Sequence, residues 1–322
     1  MKTNAIVRIV IWSIVLVALV GIMTGLIADE QYLRDYVPAE TAIPRPLNDT
    51  TMVEAAPVPL ETIMEETPVQ ALPNEETLAF SPDVNEIEIN WVAGDIIIME
   101  ADVEEITVSE SDVSDPRHAL QYQLRGTKLE LLFSEESLMD GFGISLAGDL
   151  RKDLYIEVPR SWEGRSIEID AASTNIEMHN ITLNELDIDG ASGTCDIQNC
   201  AIGELDIDAA SGDIYYLGSL DRMDLDGASA SITGDFQNTP SRIDMDSIEG
   251  TLDIALPEDC GFTVTMDGLN SSLRSDFQDT QMKNKSHVYG DGRCRIDVDG
   301  LNCNVTIRKL DTIVADPTEE AK

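Results

Sequence analysis

Four stretches of the chain are versions of one phrase: LDIDGASGTCDI at 186–197, LDIDAASGDIYY at 205–216, MDLDGASASIT at 223–233 and IDMDSIEGTLDI at 243–254. Each opens with apolar residues alternating with aspartates. A turn of small residues follows, and then a second apolar alternation. Period-two alternation marks a strand with one buried and one wet face. The turns read Ala191-Ser192-Gly193 and Ala210-Ser211-Gly212, and glycine at such a corner permits backbone that other residues resist.

One aspartate anchors each copy: Asp170, Asp189, Asp208, Asp226, Asp246 and Asp267, at intervals of 19, 19, 18, 20 and 21 residues. Asp299 follows after a longer gap of 32, and Asn90 begins an early copy, NWVAGDIII. Three residues before the anchor stand Ile167, Leu186, Leu205, Met223, Ile243, Val264 and Ile296; one before it stand Ile169, Ile188, Ile207, Leu225, Met245, Met266 and Val298. Six after it stand Ile176, Cys195, Ile214, Ile232, Leu252, Leu273 and Val305. A unit this short cannot bury its own apolar face, whereas stacked units turn each column into a continuous internal ladder. The expected fold is all-β, a single-stranded β-solenoid of about 19-residue coils stacked roughly 4.8 Å apart. A β-sandwich of evenly spaced hairpins is the rival architecture, and the common register of seven copies favours the solenoid. The predicted solenoid domain spans 83–310. Within it, 83–165 read as irregular capping coils and 166–307 as regular repeats, with 277–307 closing the stack.

Ahead of it, Ile9 to Ala28 (IVIWSIVLVALVGIMTGLIA) is an uncharged, mostly apolar run. At roughly 1.5 Å per residue it spans about 30 Å, the thickness of a bilayer core. Lys2 and Arg8 precede it and Asp29 and Glu30 follow, so the orientation rule puts residues 1–8 in the cytoplasm and the rest outside. A cleaved signal peptide is the rival, disfavoured by the length of the run and by Leu26 at the −3 position. The reading is one transmembrane signal anchor, hence a single-pass cell-membrane protein. Residues 29–82 hold eight of the 13 prolines among scattered glutamates, a composition that suits an extended stalk. Residues 311–322 form a charged tail.

Acidic residues number 61 against 21 basic ones, a net charge of -40. Such a chain repels nucleic acid and anionic lipid, so neither is an expected partner. Cationic peptides, wall polymers or another membrane protein remain, beside the membrane itself through the N-terminal helix. Five cysteines occur without a CxxC pair, which leaves zinc and thioredoxin chemistry unsupported. Cys195 falls on an apolar column and reads as a small core residue.

The acidic positions of the repeat also form columns. Asp187, Asp206, Asp224 and Asp244 should share one outward face, with Asp189, Asp208, Asp226 and Asp246 beside them at the corner. Carboxylates roughly 5 Å apart repel by about 1 kcal/mol in water and by more near a protein surface. Side chains splaying into water, raised pKa values or bridging divalent cations would relieve this. Paired columns could offer calcium some of its six to eight oxygens. The GGxGxD nonapeptide of calcium-binding rolls is absent, so no dedicated cage is evident. The columns read either as a solvated acidic face or as a weak cation ladder, with no other cofactor expected. The corner aspartates could equally cap turn amides.

These columns, with LYIEVP at 154–159, the ASG turns, IALPEDCGF at 254–262 and GDGRCRIDVDGLNCNVTI at 290–307, resemble the DUF4097 family of adhesin-like, β-strand-repeat envelope proteins. The resemblance covers about residues 83 to 310. It implies an outward-facing, membrane-attached bacterial protein, in some cases tied to envelope stress, and it defines no binding residue. Several late turns depart from Ser-Gly, among them Ile248-Glu249-Gly250 and Leu269-Asn270-Ser271.

Signs of catalysis are sparse. None of His118, His179 and His287 sits in a nucleophile motif, and GxSxG, HExxH and phosphate-binding glycine loops are all missing. Two carboxylates about 5 to 9 Å apart can hydrolyse a glycoside, but here carboxylates recur in nearly every coil and no pair stands out. Sugar clefts favour aromatics, and the repeats have few: Trp162, Tyr215, Tyr216 and Phe236. The expectation is a non-catalytic, adhesin-like interaction scaffold. Its rival is a structural spacer or a stress sensor coupled through the membrane helix; a carbohydrate-active enzyme ranks last.

Overall fold

The computed structural model describes residues 70–71, 77–111, 119–133, 151–278, 281–283 and 286–310. The membrane segment expected at 9–28, most of the stalk and the tail at 311–322 lie outside these residues. Among the described residues no helix is long and apolar enough to cross a membrane. Every regular element among them is a strand. In chain order these are β1 (Gln70–Ala71), β2 (Leu78–Phe80), β3 (Glu86–Ala101), β4 (Ile106–Ser111), β5 (Gln121–Arg125), β6 (Lys128–Leu132), β7 (Asp153–Pro159) and β8 (Gly164–His179). There follow β9 (Thr182–Phe236), β10 (Arg242–Leu256), β11 (Phe262–Gly268), β12 (Ser272–Ser275), β13 (Gln281–Lys283), β14 (Ser286–Tyr289) and β15 (Cys294–Lys309). All 15 belong to one sheet.

Through the middle of the molecule the expected coils stack in parallel and in register. β8 pairs with β9 so that Ile167 meets Leu186 and Ile176 meets Cys195. β9 pairs with β10 so that Met223 meets Ile243 and Ile232 meets Leu252. Inside β9, Gly203 lies against Asn184, Gly212 against Gly193 and Gly227 against Ala209, one coil apart each time. Each coil turns three apolar stretches inward; in one of them Leu186 and Ile188, Cys195 and Ile197, and Cys200 and Ile202 are all buried. Asn180 and Asn199 sit one above the other at a corner with φ of 59° and 56°. Asparagine tolerates that left-handed backbone because its short amide bonds locally. Burying these ladders is the main stabilising term, since a single coil would leave every one of its apolar residues wet.

Chain order and stack order part company at both ends. The first coil, β3, pairs on one side with β8 (Asn90 opposite Asp170) and on the other with β6 and β7 (Ile87 opposite Leu129, Ile96 opposite Leu154). The outermost N-terminal layer is therefore built from the later residues 128–132 and 153–159, and the regular coil 86–101 lies inside it. The C-terminal end mirrors this. β15 slots between β10 (Asp246 opposite Asp299) and the pair β11 and β12 (Asp267 opposite Asp299, Leu273 opposite Val305). This corrects the expectation that 277–307 closes the stack: residues 294–307 are an inner coil, and 262–275 form the outer one. It also explains the gap of 32 between Asp267 and Asp299. The chain leaves the stack after β12, makes the antiparallel pair β13 and β14, and returns to the slot beneath. β14 then covers β11, while β5 covers β6 and β4 covers β7, so antiparallel strands blunt the edges that parallel coils would leave bare. The folded part also begins before residue 83: β2 pairs with β4, and Phe80 is buried within the stretch read as stalk.

A buried ion pair holds the N-terminal exchange together. Lys152 Nζ lies 2.5 Å from Glu110 Oε2 and donates to the carbonyl of Phe133 at 2.7 Å. It sits between the rings of Trp91 and Phe133, 4.7 and 4.4 Å from their centroids. Glu110 Oε1 accepts from the amide of Leu120, and Trp91 Nε1 donates to the Lys152 carbonyl. The segments carrying Trp91, Glu110 and Phe133 thus converge on this one cation. Burial pushes the Lys152 ammonium below its usual pKa, and Glu110 opposes that shift.

Candidate functional site

Acidic positions of the repeat stand opposite one another from coil to coil. Asp224 stands opposite Asp244 and Asp226 opposite Asp246, while Asp187 and Asp189 continue onto Glu168 and Asp170. Asp206 feels the charges of Asp224 and Asp187, its neighbours above and below. The first column runs on through Glu88 and Glu130 at one end and Asp297 at the other, and it stops at Thr265. The ladder is a line of side chains rather than a cage. Among the described residues, no group of three or more His, Cys, Asp or Glu is placed to hold a metal ion.

The charge along this ladder is uneven. At the N-terminal end Lys128 pairs with Glu88 at 2.6 Å, Arg125 with Glu130 at 3.2 Å and Arg165 with Glu86 at 2.6 Å. Toward the C-terminal end Arg222, Arg242 and Arg295 stand in a column of their own, four residues before the anchor, and Arg242 binds Asp244. Between these zones that same position holds Glu185 and Glu204. Two successive coils thus carry three acidic residues each on this face: Glu185, Asp187 and Asp189, then Glu204, Asp206 and Asp208. The ionisation follows. Partial burial and neighbouring carboxylates raise the pKa values of Glu168, Asp170 and Asp187. Asp206 is pushed up to about 6, through partial burial and the charges of Asp224, Asp187, Asp208 and Asp189. Raised pKa is one of the three outcomes foreseen for a strained ladder. Relief by stacked arginines was not foreseen, although a column at the anchor minus four was readable in the sequence.

Round the corner lies a groove of ≈ 550 Å³ running across the coils, with Ser211, Asp213, Ser231, Glu249, Thr251 and Asn304 among its lining. Small residues open it, for Gly193, Gly212, Ala230 and Gly250 take successive corner positions. The outward column through it begins at Asp95 and ends at Ser272, and its two ends are knitted from coil to coil. Asn175 donates to Asp95 at 2.9 Å, and Thr194 Oγ1 donates to Asn175 at 3.0 Å. At the far end Ser272 donates to Asn304 at 2.7 Å, and beside it Asn270 donates to Asn302 at 3.0 Å. In the middle, among the described residues, the side chains of Asp213, Ser231 and Thr251 make no such bond. Sequence reasoning read this corner only as a turn.

All five cysteines are buried free thiols on or beside the apolar columns. Burial pushes Cys195 and Cys294 up to about 12 and Cys200 and Cys260 up to about 11, which leaves little thiolate to react.

Parallel coils in register, an outward carboxylate ladder and a polar corner groove define an all-β repeat protein that presents long regular surfaces. The chain belongs to the Toastrack DUF4097 family, whose model matches residues 84–232 and again 147–308. The two matches overlap, as expected when one coil resembles the next. A candidate adhesin of Bacteroides fragilis is similar over 73% of this chain and 98% of its own, at 13% identity and a TM-score of 0.41. A candidate cell adhesion protein of Clostridium sporogenes covers 74% of this chain and 100% of its own, at 13% identity and a TM-score of 0.34. A candidate lipid binding protein of Parabacteroides distasonis covers 71% and 96%, at 12% identity and a TM-score of 0.32. No curated protein matches the chain.

Proposed function

We propose that the chain is a non-catalytic interaction module, tethered to the cell membrane through residues 9–28 and held outside on its proline-rich stalk. Its partner is cationic: a basic peptide, a basic segment of another membrane protein, or an amine-bearing wall polymer. One observation supports this reading above the others. The coils anchored on Asp189 and Asp208 carry three acidic residues each on one face, while the zones on either side carry the arginines and lysines. Where repulsion is left in place, a cationic ligand gains most by relieving it. The repetition of carboxylates along the ladder singles out no acid–base pair, which supports a binding role over hydrolysis.

The test is co-sedimentation of the detergent-solubilised full chain with envelope fragments across a salt series. Binding that fades as salt rises, and that the triple variant Asp187→Lys, Asp206→Lys, Asp224→Lys abolishes, is the expected result. Binding indifferent to both salt and the triple variant would remove the acidic face from consideration. Alkaline extraction of membranes checks the anchor, since a spanning helix keeps the chain in the pellet.

A further inference from the structure

We propose that the corner groove binds an extended, neutral glycan strand. This rests on the reading of the chain as an interaction module, and it adds a surface distinct from the acidic face. The hydrogen-bonding pattern is the starting point. One outward column is bonded coil to coil at both ends, through Asn175 and Asp95 and through Ser272 and Asn304. Between them Asp213, Ser231 and Thr251 present a carboxylate and two hydroxyls with no partner among the described residues. The groove opens over this unbonded stretch. Exposed polar groups normally bond to water, and a ligand rich in hydroxyls replaces those waters in kind. Beneath the same corner Thr174 is only 6% exposed and its Oγ1 has no hydrogen-bond partner. It stands beside Gly193, Gly212 and Asp213, at the edge of the groove.

The chemistry selects the ligand. The groove lies on the face of the stack, where coil main chains pair with one another, so an extended peptide cannot join as an added strand. The side chains that line it are small or polar, with Ser211, Asp213, Ser231, Glu249, Thr251 and Asn304 among them. Asp213 and Glu249 repel phosphates and uronates but accept hydrogen bonds from neutral hydroxyls. One exposed aromatic ring stands just outside the groove lining. Tyr215 follows Asp213 at the next outward position, about 6.6 Å along the strand. Of the four aromatics of the repeats, Trp162, Tyr216 and Phe236 are buried and Tyr215 alone is exposed, at 48%. A ring face beside hydroxyl-binding groups is what a pyranose needs, since its own faces are apolar and its rim polar. The coils repeat at about 4.8 Å, comparable to the advance of one sugar in an extended chain, so successive residues could meet successive coils.

The experiment is isothermal titration of the full chain in detergent micelles with two neutral hexasaccharides, chitohexaose and cellohexaose, at low and high salt. At least one is expected to bind with an affinity that salt leaves unchanged. Tyr215→Ala and Thr251→Arg, both at exposed positions, should each weaken that binding by about fivefold or more. The triple acidic-face variant should leave it intact. Absence of binding by both hexasaccharides, or binding that survives both groove variants, overturns the proposal. Absence of salt-sensitive envelope binding by the unmutated chain, with its hexasaccharide binding retained, would sink the acidic-face reading and leave the groove standing.

Discussion

The middle of the stack and its two ends solve the same problem differently. From β8 to β10 each coil lies on the one before it in sequence, and like residues fall on like: Asp224 on Asp244, Leu225 on Met245. At the ends the chain passes over one layer and later fills it, so that β3 and β15 are each clasped between two other layers. The middle is held by repeated apolar ladders. The ends add specific, unrepeated contacts, such as the cage around Lys152 and the ring cluster of Phe262, Phe277 and Tyr289. A stack whose terminal strands could peel off would fray from its edges. Passing the chain under its own outer layer ties the last coil down.

The sharpest way to break this comparison is at Lys152. Lys152→Met leaves Glu110 buried without its cation, and the expected loss is about 3–5 kcal/mol. Denaturant unfolding followed by the fluorescence of the buried Trp91 checks it. A loss no larger than that of a surface pair would show that the clasp is not what holds the N-terminal layers. Gly94→Ala probes the same junction from the other side. Gly94 has φ of 120°, and a Cβ there would collide with the carbonyl of Lys152, so this variant should also unfold more readily.

Smaller effects sharpen the contrast. Ile89→Val, in a clasped coil, and Ile207→Val, in the middle, remove one buried methylene each, and each should cost about 1 kcal/mol. Equal losses in one shared transition mean that ends and middle unfold as a unit; a separate early transition for Ile89→Val means that they do not. The acidic middle should respond to pH in the opposite sense to most proteins. Asp206 is pushed up to about 6 in the folded chain against 3.8 for a free aspartate, so between those values the folded state holds more proton than the unfolded one. Stability therefore rises as pH falls from 7 toward 5, and it is lost as pH climbs through 6. Thermal melting across that range should show a modest upward shift, and Asp206→Asn should flatten it. The smallest effect belongs to the exposed pair of Lys309 and Glu258, where Lys309→Gln should leave the denaturation midpoint almost unchanged.

Much of this was legible beforehand. The columns at Ile167, Ile169 and Ile176 and their repeats are core ladders, and the aspartates do share a face, because period-two alternation at a constant interval leaves little freedom in where a side chain points. The third inward stretch, with Cys200 and Ile202, escaped because it is short and broken by Asn199 and Gly203. The arginine column is harder to read because only three coils carry it, at Arg222, Arg242 and Arg295, while the same position holds Glu185 and Glu204 elsewhere.

By itself, then, the sequence determined the repeat, the face on which each side chain lies and the all-β stacking, because these depend on local alternation and a short period. Only the tertiary structure decided which coil fills which layer at the ends, where cations offset the ladder, and which stretch of the corner column is left unbonded. Those outcomes depend on contacts between residues far apart in the chain. Residues 61 positions apart, as in Trp91 and Lys152, carry no period that could announce their meeting.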